Sequence, residues 1–94
     1  MTKSKMTKES VDEIFNSIGE ILVKKNSDYG EASFDLGTNG NMVHIWDKAR
    51  RYRSLVEKQA KGENPNFESI EDTLKDIIGY AVIGLHILKI DKEQ

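Results

Sequence analysis

The sequence predicts an all-α protein, a small bundle of three main helices completed by self-association. Three observations predict it. Apolar residues recur at helical spacing in three long stretches, none alternates as a strand does, and Gly- or Pro-containing breaks separate them.

The first helix is expected over residues 10–25, after a flexible N-terminus over residues 1–9. Ser10 followed by Glu13 has the form of a capping box. Val11, Ile14, Phe15, Ile18, Ile21 and Leu22 form its apolar stripe, and Gly19 sits on the flank. That glycine costs roughly 1 kcal/mol relative to alanine, so it either permits close packing or is tolerated. Residues 26–40, rich in Gly, Asn, Ser and Asp, read as a long loop with one helical turn over residues 32–36. Loops of this length are usually functional or mobile.

Thr38 or Asn39 is the expected cap of a second helix over residues 41–60. Its apolar side is Met42, Ile45, Trp46, Ala49, Tyr52 and Val56, and Lys61-Gly62 is a stop signal. Asn64-Pro65 restarts the chain into a third helix over residues 66–90. Ile70, Leu74, Ile77, Ala81, Leu85 and Leu88 make its main stripe, and His86 reads as a core histidine. Ile78, Val82, Ile83, Ile87 and Ile90 fall outside that stripe, which predicts a dimer built on this helix.

The 94 residues fit one domain, 1–94. The absence of cysteine excludes disulfides and thiolate chemistry and suits a reducing compartment. The polar N-terminus lacks the apolar run of a secretory signal, and the most apolar stretch is shorter than the ~20 residues of a membrane span. The expected location is the cytoplasm of a bacterial host, away from membranes. A net charge of −2 argues against general nucleic-acid binding. Lys48, Arg50, Arg51 and Arg53 nonetheless lie within six residues, which suits a small anionic ligand.

Glu68, Asp72 and Asp76 stand at i, i+4, i+8 along one side of the third helix. The same side continues into Gly79, Ile83, Ile87 and Ile90, so the carboxylates run from an exposed end towards an interface. Like charges at this spacing repel by roughly 0.2–0.5 kcal/mol per pair, which asks for a cation. His44, Asp47, Lys48 and Arg51 share one face of the second helix. Two readings follow. Lys48 and Arg51 bridge to the acids across a helix pair, or they hold a phosphate while Glu68, Asp72 and Asp76 hold Mg²⁺. The pattern indicates no organic cofactor. Tyr29, after Asp28 in the loop, can stack on a base or plug the core's edge.

Lys25-Asn26-Ser27-Asp28-Tyr29-Gly30, then Asp47-Lys48-x-x-Arg51, then the run from Glu68 to Asp76 with Tyr80-Ala81, resembles the nucleotide modification associated domain family of phages and bacteria. The resemblance covers roughly residues 24–81 and implies a helical protein of phage nucleotide metabolism or host takeover. More loosely, the acidic helix looks like that of the all-α nucleoside triphosphate pyrophosphohydrolases, which bind Mg²⁺ on Glu-x-x-Glu and Glu-x-x-Asp helices. The second helix departs from that pattern and offers only Asp47.

The expected function is therefore binding of a nucleotide or similar phosphate ligand, with Mg²⁺-dependent phosphohydrolase chemistry as its enzymatic form. In that form Glu68, Asp72 and Asp76 hold metal, Asp47 or Asp76 orients water, and Tyr29, His44, Lys48 and Arg51 contact the ligand. The alternative is a non-enzymatic phage inhibitor or nucleotide sponge that acts on a host protein or signal.

Overall fold

The computed structural model describes residues 6–30, 32–64 and 69–93. Helix α1 spans Lys8–Tyr29, a single 3₁₀ turn spans Ala32–Phe34, α2 spans Gly37–Ala60 and α3 spans Ile70–Glu93. The described residues contain no strand. The fold is an all-α bundle, and no described helix is long and apolar enough to cross a membrane.

Each helix starts or stops where local chemistry permits, and several bounds differ from those the sequence suggests. The cap of α1 is Thr7, one turn before Ser10. Thr7 Oγ1 accepts from the Ser10 N–H at 3.1 Å, and Ser10 Oγ accepts from the Thr7 N–H at 2.9 Å. Two N–H groups are satisfied reciprocally, so the helix gains a turn. At its other end α1 runs through Asn26, Ser27 and Asp28. Polar residues do not break a helix, and this one ends only at Gly30, whose φ of 67° favours glycine.

Helix α2 likewise begins earlier than the capping residues suggest, at Gly37 and without a side-chain cap. Its end after Ala60 follows the expected stop, with Gly62 at φ 78°. The start of α3 is marked by Ser69, whose Oγ accepts from the Asp72 N–H at 3.0 Å. Ser69-x-x-Asp72 is a capping signature in the sequence itself. The expected Pro65 start lies outside the described residues.

Helices α2 and α3 run antiparallel, because contacts from Asn41 to Lys48 descend α3 from Tyr80 to Asp76. Asn41 Nδ2 donates to the Tyr80 carbonyl at 2.7 Å, and His44 stacks on the Tyr80 ring at 4.8 Å. This approach needs Gly84. A Cβ there would stand 2.5 Å from Asn41 Oδ1. Helix α1 meets α3 where Leu22 reaches Gly79.

These contacts change much of the expected core, although Ile18 is buried as its stripe predicts. The α3 side facing its neighbours carries Thr73, Asp76, Gly79, Tyr80 and Ile87, and Thr73, Gly79 and Ile87 are buried. The main stripe is split instead, with Leu74, Ala81, Leu85 and Leu88 exposed and Ile70 and Ile77 half-buried. On α2, Met42, Trp46, Tyr52 and Val56 are exposed rather than packed. His86 is also exposed, not a core histidine. Among the described large apolar residues only Ile18 (3% exposed) and Ile87 (4%) are fully buried. The α2–α3 hairpin is joined by a hydrogen bond, a ring stack and an ion pair, and those interactions set which faces meet.

Candidate functional site

Between α1, the 3₁₀ turn and α3, with Lys48 reaching in from α2, lies a cleft of about 670 Å³. Small-molecule sites typically measure about 300–1,000 Å³. Its position follows from the helix bounds. The extra turn at the end of α1 carries Asn26 into the wall beside Lys25, and the 3₁₀ turn delivers Ser33 and Phe34.

The walls divide by chemistry. Ile18, Leu22, Phe34, Val82 and Ile83 are apolar, while Lys25, Lys48, Lys75, Asp76, Tyr80 and His86 are polar. Three lysines and one carboxylate, Asp76, line the cleft. Asp76 lies between two of them, its Oδ2 at 3.0 Å from Lys48 Nζ and its Oδ1 at 3.7 Å from Lys25 Nζ. The Lys48 side chain is only 14% exposed, so its charge is poorly screened by water. Lys75 stands nearer solvent, 3.5 Å from Glu71 on the same helix.

The structure gathers only part of the expected site. Asp76 and Lys48 meet in the cleft, whereas Asp72 is exposed one turn away with its N–H on the Ser69 cap. Asp47 is exposed and pairs with Arg51 on its own helix at 3.7 Å. His44 lies against Tyr80, its ring nearly parallel at 3°. Glu68 and the Tyr29 side chain lie outside the described residues. Among those described, no three His, Asp or Glu side chains stand together as a metal-holding group.

Residue-by-residue reading missed Lys75, Phe34 and His86 as site residues. Lys25 and Tyr80 enter the family-like motifs, but nothing in their spacing shows that they share a cleft. Gly19 lines it too, and a Cβ there would meet nothing within 4 Å. This glycine therefore leaves space at the cleft and does not serve close packing.

An all-α domain with an amphipathic, lysine-rimmed cleft is the class that fold and geometry define. The chain belongs to the nucleotide modification associated domain 1 family, whose model matches residues 25–88. The matched span includes Lys25, Lys48, Lys75, Asp76 and Tyr80. Comparison with curated proteins and with solved structures gives no match.

Proposed function

We propose that this chain binds a nucleotide in the cleft, with the phosphates on Lys25, Lys48 and Lys75 and the base against Phe34 and the aliphatic wall. One observation carries the reading: Lys25 and Lys48 meet at Asp76 in a cleft that Lys75 also lines and whose remaining wall is largely apolar. Phosphate takes charge-assisted hydrogen bonds from ammonium groups, and a base buries its faces on apolar and aromatic side chains. The family description, nucleotide modification associated, points to the same ligand class.

In this reading Asp76 holds Lys25 and Lys48 as counter-ion until phosphate takes its place. Magnesium enters with the phosphates, because one or two carboxylates plus phosphate oxygens complete its usual shell. Asp76 is the carboxylate at hand, with Asp72 one turn away. The proposed act is binding, and sequestration of the nucleotide follows from it without turnover.

Isothermal titration of the full chain with nucleosides and their mono-, di- and triphosphates, with Mg²⁺ and with EDTA, tests this. Phosphorylated ligands should bind and nucleosides bind far more weakly. Lys48→Ala should weaken the phosphorylated ligands by about tenfold or more, the loss of one charge-assisted contact. Silence from every nucleotide, or an unchanged affinity in Lys48→Ala, would overturn the reading. Product analysis of the bound mixture separates holding from hydrolysis.

A further inference from the structure

Two walls of the cleft, α1 and α3, run antiparallel. Lys25 meets Asp76 and Leu22 meets Gly79, so three residues back on α1 correspond to three residues further along α3. The same step brings Gly19 level with Val82, and one more turn of α3 brings His86. All of these residues line one continuous cleft. The cleft therefore has two ends. Lys25, Lys48 and Asp76 meet at one, and His86 stands at the other, about 15 Å further along α3.

Beyond the contact of Leu22 with Gly79, the lining side chains of these two helices are Ile18, Ile21, Val82, Ile83 and His86. All but His86 are aliphatic, and Gly19 leaves open space beside them. A planar base lodged there covers its faces on apolar surface, while the donors and acceptors on its edge lose water. Left without partners, those groups cost more than a made hydrogen bond gains. In this half of α1 and α3 only His86 carries atoms that can meet them.

We propose that His86 selects the base: its ring nitrogens hydrogen-bond the edge of a base held in the apolar half while the phosphate lies at the lysines. The inference rests on the nucleotide reading of the cleft. Three observations support it. His86 has no hydrogen bond or ion pair with another described residue, so its nitrogens are available to a ligand. Helical side chains lean toward the helix N-terminus, which tilts the imidazole back toward Val82 and the lysine end. The roughly 15 Å between the two ends suits the phosphate, sugar and base of one nucleotide with a hydrogen bond at each end. A neutral imidazole offers one donor and one acceptor, so it distinguishes bases by the pattern on their edges.

Isothermal titration of the full chain with adenosine, guanosine, cytidine and uridine 5′-monophosphates tests this, with ribose 5-phosphate as the probe that lacks a base. The wild-type chain should favour one base over the least favoured by about tenfold, the effect of a hydrogen bond made or left unmade at a covered edge. His86→Phe, which keeps a flat ring without nitrogens, should weaken the favoured nucleotide until all lie within about twofold of one another. Ribose 5-phosphate should bind wild type and His86→Phe alike. His86 is exposed, so the variant should fold, and circular dichroism checks it. If His86→Phe unfolds, His86→Ala carries the test. Equal binding of all the bases by wild type, a preference that the variant leaves intact, or weaker binding of ribose 5-phosphate by the variant would overturn the proposal and leave nucleotide binding in place. If no nucleotide binds at all, the binding reading fails and this one with it.

Discussion

Lys48 Nζ lies 3.0 Å from Asp76 Oδ2, an ion pair that ties α2 to α3 at the edge of the cleft. Both groups are mostly covered, at 14% and 26% exposure, so the pair is worth more than a surface bridge. It joins residues 28 positions apart in sequence. Lys25 approaches the same carboxylate from α1, so Asp76 links all three helices.

Replacing Asp76 with Asn should lower stability by about 1–3 kcal/mol, since two lysines lose their counter-charge. Thermal unfolding measures this. In EDTA, nucleotide affinity should hold or rise, because the carboxylate no longer competes with phosphate for Lys25 and Lys48. Any gain from Mg²⁺ should disappear. Loss of all binding in EDTA would show that the carboxylate itself holds the ligand.

Gly19 lies in a helix with open space beyond its absent side chain. Gly19→Ala should stabilise the protein by up to about 1 kcal/mol through helix propensity alone. Gly19→Leu should keep most of that gain while its side chain occupies the cleft. Denaturant unfolding beside nucleotide titration should therefore show stability rising as affinity falls.

Gly84→Ala should have the opposite sign. Its Cβ meets Asn41 Oδ1, and the α2–α3 approach must open or lose the bond to the Tyr80 carbonyl. A cost of about 1–3 kcal/mol is expected for such overpacking. Asn41→Ala should cost about 1 kcal/mol for the lost hydrogen bond. The double variant should cost less than the two together, since alanine at position 41 removes the clash; a fully additive cycle would contradict the contact.

Thr7→Ala removes the cap of α1 and should cost about 1 kcal/mol. The loss should concentrate in the first turn, visible as faster amide exchange there. Ser10→Ala should act similarly, because its Oγ accepts from the Thr7 N–H. Ser10 as the principal cap would instead leave Thr7→Ala neutral.

The sequence alone determines that this chain is helical, that α2 stops at Gly62 and that three stretches carry apolar stripes, because these depend on neighbours within a turn or two. It also carries the motifs by which the family is recognised. It does not reveal which face of each helix turns inward. Burial is non-directional, and α3 is apolar on more than one side, so periodicity names candidates without choosing among them. The choice is made by contacts between distant residues: Asn41 on the Tyr80 carbonyl through the space at Gly84, His44 on Tyr80, and Lys48 on Asp76. Those contacts send Met42, Trp46, Leu74 and Leu85 outward. They place Lys48 and Asp76 beside Lys25 and Lys75 in the cleft, an assembly of three helices that no local spacing encodes.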